Sequence, residues 1–321
     1  MKFLKEHTLY IESELERFQL PLNPSNLYHP LRYFLNIGGK RIRPVLTLMA
    51  AELFGTNADK VKDAAIAIEL FHNFTLLHDD IMDQAPLRRG EVTVHEKYNT
   101  NIAILAGDVL FVKAVQALAQ QDTQHLPQLL QLFNQTAIEV CEGQQYDMDF
   151  ESKENVGTEE YLEMIRLKTS VLLGCALQFG GICSGTDEKN QKLLYDFGIN
   201  LGMAFQIQDD ILDLFGDPEL VGKQVGGDIL AHKKTILSIL AQERGIKDNS
   251  DAFDKIKLIQ DPTEKIKEAQ KLFISWEILK QCSALQEDYL QKAVENLDSI
   301  ETSGNKDNFI ELSNYLFHRT H

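Results

Sequence analysis

The sequence predicts an all-α protein built as one large helical bundle. Long segments carry apolar residues at helical spacing, alternating strand patterns are almost absent, and the eight prolines fall mostly at plausible element boundaries. A chain of 321 residues can form either one large domain or two smaller ones. Because no break is long enough, or low enough in complexity, to act as a linker, we expect a single domain over residues 1–321.

The first expected element is an amphipathic N-terminal helix, in which Leu4, Ile11, Leu15 and Phe18 recur at helical spacing. This stretch is too charged for a signal peptide, and we expect no apolar run to reach membrane-spanning length, so we expect a cytoplasmic protein without stable membrane insertion. Polar loops such as "QAPLRRGE" and "ETSGNKDN" separate the further helices. These are expected over residues 60–83, 101–119, 127–148, 159–183, 188–215 and 263–298.

Charge and cysteine content narrow the possible functions. The chain has 32 basic and 48 acidic side chains, for a net charge of −16, and no long basic tract, which argues against nucleic acid or an anionic membrane as the main partner. The four cysteines form neither a CxxC pair nor a disulfide-dense pattern. We expect reduced thiols that serve in packing: Cys141, Cys175, Cys183 and Cys282.

Two apolar helices end in the similar acidic motifs "HDDIMD" and "QIQDDILD". Asp79 and Asp83 are spaced i, i+4 on one helix face, and so are Asp209 and Asp213. Carboxylates at this spacing repel one another, which indicates a cation, and Mg²⁺ binds through one or two carboxylates with water and phosphate oxygens. An EF-hand is excluded because its loop needs alternating ligands and a central Gly. A solvated, charged turn is the alternative for each motif.

Basic residues flank both acidic motifs in four segments: "GGKRIRP", "LRRGE", "RLKTS" and "GKQVGGDILAHKKT". Each could be a solvated surface charge, but together they favour a metal-bridged polyphosphate ligand. The basic residues are Lys40, Arg41, Arg43, Arg88, Arg89, Lys168, Lys223, Lys233 and Lys234. His72 precedes Asp79 by seven residues and therefore lies near the same face, so we expect it to contact the ligand, whereas we interpret His95 as structural.

In this order, "GGKRIRP", "LLHDDIMD", "LRRG", "GDVL", "GQQYDM", "LKTS" and "FQIQDDILD" make the chain resemble the trans-isoprenyl diphosphate synthases, the polyprenyl synthetase family, of short-chain geranylgeranyl or farnesyl type. The likeness covers about residues 30–235, with a weaker match at "NYLFHRTH". It implies an isoprenoid synthase fold, with helices around a deep central cavity, and a homodimer. It also implies Mg²⁺-dependent condensation of isopentenyl diphosphate with an allylic diphosphate, using three ions and releasing pyrophosphate.

The resemblance assigns roles to individual positions. Asp79 and Asp83 would hold two Mg²⁺ ions and Asp209 the third, with Asp80, Asp210 and Asp213 completing the motifs. The allylic diphosphate would be bound by Arg88, Lys168, Lys223 and Lys233, with Thr169 and Gln206 at the reaction centre. Isopentenyl diphosphate would be bound by Lys40, Arg43, His72 and Arg89, and Gln144 and Asp147 would support the metal face. His232 departs from the family pattern, which has Gly there.

Product length is expected to depend on side chains just before the first acidic motif. Phe74, Phe71 and Thr75 lie on the helix that ends at Asp79 and would form a floor for the growing chain. In the family, a single aromatic at the fifth position upstream resembles the twenty-carbon pattern, so geranylgeranyl diphosphate is expected, with farnesyl diphosphate next. A non-catalytic partner subunit of a heteromeric synthase and a class I terpene cyclase are the alternatives, although both acidic motifs and Lys40 speak against them.

Overall fold

The computed structural model describes residues 2–217 and 225–317, whose regular secondary structure is almost entirely helical, as the sequence predicts. The helices are α1 (Lys2–Arg17), α2 (Ser25–Asn36), α3 (Ile42–Glu52), α4 (Ala58–Met82), α5 (Val94–Lys97), α6 (Thr100–Leu118), α7 (Leu126–Ser152), α8 (Thr158–Ile165), α9 (Val171–Ser184), α10 (Glu188–Phe215), α11 (Gly227–Leu230), α12 (Ile236–Asp248), α13 (Ala252–Lys257), α14 (Pro262–Ser275), α15 (Ile278–Ser299) and α16 (Asp307–Phe317). A π-helical turn, Arg166–Ser170, joins α8 to α9. Strands β1 (Leu87–Arg88) and β2 (Glu91–Val92) form a short antiparallel hairpin.

Most predicted helices match observed ones, and the differences have local causes. The segment expected over 263–298 divides into α14 and α15 at Glu277, whose left-handed φ of 57° interrupts the helix. The segment expected over 159–183 contains the π-helical turn. Pro30 lies inside α2 rather than at a boundary, contrary to prediction. The N-terminal helix is confirmed as packed, because Ile11 is fully buried.

The chain divides into two compact units, and each has its own core. Unit 1 holds the described residues of 1–134, 175–194 and 301–306, and unit 2 holds those of 135–174, 195–300 and 307–321. The single domain over 1–321 stays a prediction.

In unit 1, α4 packs against both α3 and α6. Ala64, Ala67 and Ile68 of α4 have no exposed surface, and an added Cβ on Gly180 of α9 would lie 2.4 Å from the Thr47 carbonyl oxygen of α3. Small residues therefore allow close helix packing around α4, which carries the first acidic motif at its end.

In unit 2, the apolar core joins α8, α10, α12, α14 and α15. Ile207, Ile236 and Phe273 are nearly or completely buried in this core. The same elements hold α10 in place, and α10 carries the second acidic motif in its last turns.

Two helices, Thr100–Leu118 and Thr158–Ser184, are long and apolar enough to cross a membrane by length and composition alone. The expectation that no apolar run reaches that length is therefore wrong. The second helix is explained by packing, since 72% of its apolar window is buried, whereas only 39% is buried in the first.

The four cysteines are free, as predicted, but they do not all serve in packing. Cys175 and Cys282 are buried, and burial raises the pKa of the Cys282 thiol to about 12. Cys141 is exposed, so the packing prediction is wrong there.

Candidate active site

The first acidic motif lies at the C-terminus of α4, with Asp79 and Asp80 in the last turn and Asp83 as the C-cap. The Asp83 backbone N–H donates to the Asp79 carbonyl oxygen at 2.8 Å. A helix C-terminus carries partial negative charge, and the last turn of α4 contains no basic residue. Three carboxylates at this end create a negative potential that favours a cation.

Arg88 supplies positive charge to this helix end. Its Nε donates to Asp80 Oδ1 at 2.7 Å, and its Nη2 lies 3.6 Å from Asp79 Oδ2. The Asp80 side chain is 2% exposed, and burial raises its pKa despite Arg88, whereas the Asp79 side chain is 21% exposed. Asp80 therefore holds Arg88 in position, and Asp79 is the more accessible carboxylate.

The β1–β2 hairpin positions Arg88 and Arg89, where the sequence predicted only a loop. Leu87 pairs with Val92 and Arg88 with Glu91, which leaves Arg89 and Gly90 as a two-residue turn. Both turn residues have positive φ, 54° and 83°, as a type I′ hairpin turn requires.

A second cluster of cations in unit 1 joins the glycine-rich loop to α4. Arg43 Nη1 lies 3.2 Å from His72 Nε2, and a Cβ on Gly39 would lie 2.6 Å from Arg89 Nη1. Burial, Arg43 and Arg89 lower the pKa of His72, and burial and Arg89 lower the pKa of Arg43 to about 10. Like charges are thus brought together, an arrangement that an anion would stabilise. Lys40, exposed, lies in the same loop.

Arg41 belongs to the same sequence segment but has a different partner. Its Nη1 lies 2.5 Å from Glu69 Oε1, and both side chains are almost completely buried. Glu69 Oε1 also accepts from Asn73 Nδ2 at 2.9 Å. Arg41 therefore forms a structural ion pair, in agreement with its absence from the expected ligand set.

An aromatic cluster lies beneath the first acidic motif, formed by Phe71, Phe74, Phe111 and Phe133. The Phe74 ring centroid is 5.4 Å from that of Phe111 and 4.7 Å from that of His78, while the Phe71 centroid is 5.2 Å from that of Phe133. Phe71 is 1% exposed and therefore a core residue, whereas Phe74 is only partly buried. Sequence reasoning missed Phe111 and Phe133, which lie on other helices and carry no local signal.

Thr75 and Gly107 complete the surroundings of this cluster. Thr75 Oγ1 donates to the His72 carbonyl oxygen at 2.8 Å, so its hydroxyl is bound to its own helix. A Cβ on Gly107 would lie 2.2 Å from His78 Nε2. The "GDVL" glycine thus allows α6 to approach α4 next to Asp79.

The second acidic motif lies at the C-terminus of α10, where the last turn again contains no basic residue. Asp209 is exposed. Asp210 is buried, accepts hydrogen bonds from the Tyr161 hydroxyl and from the Ile236 backbone N–H at 3.0 Å, and has its pKa raised to about 7 by burial. Asp213 Oδ2 accepts from the Asp228 backbone N–H at 3.0 Å. Asp210 and Asp213 therefore fix the surrounding elements, whereas Asp209 is the exposed carboxylate of this motif.

The π-helical turn presents Lys168 and Thr169 within unit 2. Lys168 Nζ lies 2.6 Å from Asp147 Oδ2, and Thr169 Oγ1 donates to Gln206 Oε1 at 3.3 Å. Gly143 of α7 makes the packing possible, because a Cβ there would lie 2.3 Å from the Lys168 backbone nitrogen. The structure thus brings Asp147, Lys168, Thr169 and Gln206 together, and π-helical turns are frequent at functional sites.

Lys233 follows α11 and depends on Asp228, which sequence reasoning missed. The Lys233 backbone N–H donates to the Asp228 carbonyl oxygen at 2.9 Å. Burial lowers the pKa of Lys233, but the carboxylates of Asp228 and Asp147 more than offset this and raise it. Lys223 lies outside the described residues. Gln144 Nε2 is buried without a hydrogen-bond partner among the described residues.

The fold and these two helix ends define an all-α protein in which carboxylates at helix C-termini are accompanied by arginine and lysine from neighbouring turns. The polyprenyl synthetase family model matches residues 24–273. A geranylgeranyl pyrophosphate synthase of Geoglobus acetivorans is 38% identical over 100% of this chain and 99% of its own. A geranylfarnesyl diphosphate synthase of Natronomonas pharaonis is 41% identical over 74% of this chain and 75% of its own.

A crystal structure of a geranylgeranyl pyrophosphate synthase, 44% identical, superposes with a TM-score of 0.90 over 99% of this chain and 98% of that one. The chain belongs to the polyprenyl synthetase family, as the resemblance predicted. Its fold is that of this family's solved structures, and its activity class is that of a prenyl diphosphate synthase.

Proposed function

We propose that the protein is a short-chain trans-prenyltransferase that condenses isopentenyl diphosphate with an allylic diphosphate, makes geranylgeranyl diphosphate and releases pyrophosphate. The observation that carries this proposal is the pairing, in unit 1, of Arg88 with Asp79 and Asp80 alongside the cluster of Arg43, His72 and Arg89. The relative from Geoglobus acetivorans, which covers the full chain, supports the same product.

The acidic motifs fit Mg²⁺ as the accompanying ion. Among the described residues, no group of three or more His, Cys, Asp or Glu side chains could hold a metal ion on its own. Mg²⁺ does not need one, since it is bound by one or two carboxylates plus water and substrate phosphate oxygens. We assign Asp79, Asp83 and Asp209 as ligands for three ions in all. Bound Mg²⁺ would stabilise the charge of the departing diphosphate.

The allylic diphosphate is assigned to Arg88, Lys168, Lys223 and Lys233. Arg88 is held by Asp80, and Lys168 is held by Asp147, so both cations are oriented before substrate arrives. Preorganised cations stabilise charge that develops as the allylic C–O bond breaks. Thr169 and Gln206 form a hydrogen-bonded pair that continues to Asp210 through Gln206 Nε2 at 3.3 Å, and we assign this pair to the reaction centre.

Isopentenyl diphosphate is assigned to Lys40, Arg43, His72 and Arg89. Because the pKa of His72 is lowered, its imidazole is neutral and can accept from Arg43 while the guanidinium groups bind phosphate oxygens. The glycines of the loop let the backbone approach this cluster: Gly38 has φ of 80°, and Gly39 lies against Arg89.

The reaction breaks the allylic C–O bond, and the electron pair leaves with the diphosphate. The double bond of isopentenyl diphosphate then attacks the allylic cation, and a proton is lost to the released pyrophosphate. Apolar side chains below the acidic motif exclude water, which would otherwise convert the cation to an alcohol.

Product length is assigned to the aromatic cluster. Phe74 is the floor residue, because it is only partly buried and its ring contacts that of His78, while Phe71 is buried against it and the Thr75 hydroxyl is bonded to its own helix. A twenty-carbon product is the main proposal. A twenty-five-carbon product is the second candidate, supported by the name of the Natronomonas pharaonis relative.

We also propose a cytoplasmic homodimer. Helix α6 carries Ile104, Leu105 and Val112 with exposed fractions of 41%, 57% and 64%, and an exposed apolar face of this kind indicates a protein partner. A second copy of the chain is the partner expected from the resemblance, and sedimentation at several concentrations tests it.

The proposal is tested by incubating the full chain with Mg²⁺, labelled isopentenyl diphosphate and, in turn, dimethylallyl, geranyl and farnesyl diphosphate. Chromatography of the dephosphorylated products is expected to give geranylgeraniol from each primer. Absence of chain elongation with all three would overturn the proposal in favour of a non-catalytic subunit.

A further inference from the structure

A basic cleft lies in unit 2, and none of its lining residues belongs to the acidic motifs. Its cavity has a volume of about 100 Å³, which leaves room for several water molecules or a small anion but not for a long hydrocarbon chain. The turn before α12, the first turns of α12 and helix α13 form its walls. Besides Glu154, the polar residues that line it are His232, Lys233, Lys234, Ser238, Gln242 and Lys257.

Two lysines of the cleft have limited negative charge around them. Lys234 Nζ donates to the Glu154 backbone oxygen at 3.2 Å and forms no ion pair with a carboxylate among the described residues. Lys257 Nζ lies 2.9 Å from Asp254 Oδ1, donates to Gln242 Oε1 and lies over the Phe253 ring. Glu154 is the only acidic side chain that lines the cleft in the described part of the chain.

Lys265 adds a buried charge behind His232. Its Nζ lies 3.4 Å from His232 Nε2, and the residue is 6% exposed. No other polar partner of this ammonium occurs among the described residues. A buried ammonium without a carboxylate is costly, and an anion on the far side of the imidazole would lower that cost.

The pKa shifts of Lys234 and His232 point the same way. Burial and Lys257 lower the pKa of Lys234 although Glu154 raises it, while burial, Lys265, Lys257 and Lys234 lower the pKa of His232. The cleft therefore carries concentrated positive potential in a chain whose net charge is −16.

His232 is also in a backbone conformation that its residue type disfavours. Its φ is 58°, in the left-handed region, and this is the position where the family resemblance leads one to expect Gly. A side chain is present here in spite of the strain, and its imidazole contacts the Lys265 ammonium. Observed strain of this kind is a reason to look for a function.

The consecutive lysines of the turn interact with different groups. Lys233 interacts with the carboxylates of Asp228 and Asp147, on the side assigned to the allylic diphosphate, whereas Lys234 interacts with Lys257 and the Glu154 backbone. The cleft thus adjoins the proposed diphosphate site and shares Lys233 with it, whereas Lys234 and Lys257 belong to the cleft alone.

We propose that the basic cleft binds a small phosphate-type anion, inorganic phosphate or inorganic diphosphate, through His232, Lys234 and Lys257. An anion bound there neutralises the excess positive charge of the cleft. Inorganic diphosphate is also the by-product of the proposed reaction, so part of this inference rests on the proposed function.

The test is calorimetric titration of the full chain with inorganic phosphate and, separately, inorganic diphosphate, in EDTA so that no divalent ion assists binding. Lys257→Gln is compared with Lys255→Gln. Lys255 lies on the same short helix, α13, and forms an exposed ion pair with Asp251 at 2.7 Å, but it does not line the cleft. Circular dichroism checks that each variant is folded.

We expect Lys257→Gln to weaken binding at one site about tenfold and Lys255→Gln to leave it unchanged. Comparison of the phosphate titration with the diphosphate titration identifies which anion binds more tightly. Equal binding by both variants, or a loss seen only in Lys168→Gln, overturns the proposal, and the latter result assigns the anion to the proposed allylic site.

A second variant tests the imidazole. His232→Gly removes the imidazole and relieves the positive φ, and it is expected to weaken anion binding several-fold. Unchanged affinity would contradict a role for His232. Prenyl transfer by Lys257→Gln is expected to equal that of the unmodified chain, so failure of this inference does not affect the proposed function.

Discussion

At the scale of single residues, Arg41 and Arg43 lie two positions apart but have different partners. Arg41 is paired with Glu69 in the interior, whereas Arg43 contacts His72 and has Arg89 as a like-charged neighbour. One guanidinium is therefore neutralised by the fold, and the other is available to an anion. Arg41 also has a left-handed φ of 51° at the start of α3.

The buried ion pair predicts a large effect on stability. Glu69→Ala leaves the Arg41 guanidinium buried and uncompensated, so we expect the free energy of unfolding to fall by about 3–5 kcal/mol. Urea denaturation measures this change.

The matched control is Asp251→Ala, which removes the partner of Lys255 from an exposed pair. Exposed pairs contribute little, so we expect the urea midpoint to be nearly unchanged. Equal losses in both variants would contradict the structural role of Arg41.

His72 predicts a dependence of stability on pH. Burial and neighbouring guanidinium groups lower its pKa in the folded state, so the unfolded chain binds this proton more readily. Its contribution to stability is present above the unfolded pKa of about 6.5 and is lost as pH falls below it, with a slope of at most about 1.4 kcal/mol per pH unit.

The measurement is urea denaturation between pH 8 and pH 5 for the unmodified chain and for His72→Gln. The variant is expected to lose less stability below about pH 6.5, because it lacks one titrating group. Parallel curves for the two proteins would show that the pKa of His72 is not lowered.

At the scale of elements, the π-helical turn depends on a glycine of another helix. Gly143→Ala would bring a Cβ within 2.3 Å of the Lys168 backbone nitrogen and 2.7 Å of the Leu167 carbonyl carbon. We expect a loss of about 1–3 kcal/mol of stability and a higher KM for the allylic substrate, since Lys168 must move.

Gly227→Ala is the control for this prediction. It lies in the same unit, and its Cβ would meet the nearest atom, Asp213 Oδ1, at an ordinary 3.5 Å. Thermal melts and steady-state kinetics should distinguish the two variants. A Gly143→Ala protein with unchanged melting temperature and KM would contradict the claim that the π-helical turn requires glycine at position 143.

The aromatic cluster predicts product length. Phe74→Ala opens a partly buried position beside His78, so we expect products longer than those of the unmodified enzyme. Phe71→Ala is the comparison. Because Phe71 is 1% exposed, its removal is expected to cost about 3–5 kcal/mol of stability. Chromatography of the products measures chain length, and an unchanged product distribution in Phe74→Ala would discard this residue as the floor.

At the scale of the whole molecule, the sequence predicts most of the helices and both acidic helix ends. The helical spacing of apolar residues can be read from a short stretch of sequence, and carboxylates spaced i, i+4 can be recognised without knowledge of the fold. The π-helical turn at Lys168 is not predictable in this way, because it depends on Gly143 and Gly202, which approach from other helices. Phe111 and Asp228 were missed for the same reason: their significance comes from contacts with distant residues.

The division into two units also exceeds what local patterns can predict. Each unit collects segments that are far apart in the chain, such as 2–134 with 301–306. The burial of Asp210 could not be predicted from local patterns either, because its hydrogen-bond partners, Tyr161 and Ile236, come from other helices. By contrast, the family resemblance already identified His232 as an unusual residue at a position where Gly is expected. Its φ of 58°, which Gly adopts more easily than His, is the physical reason for that preference.

The measurement that tests the account most directly is the Mg²⁺-dependent incorporation of labelled isopentenyl diphosphate by the unmodified chain, by Asp79→Ala and by the control Asp63→Ala near the start of the same helix. We predict that Asp79→Ala lowers turnover by about 10²-fold or more while its circular dichroism is unchanged, and that Asp63→Ala retains activity. Near-normal turnover of a folded Asp79→Ala protein would contradict the assignment of α4's carboxylates to the diphosphate-bound metal.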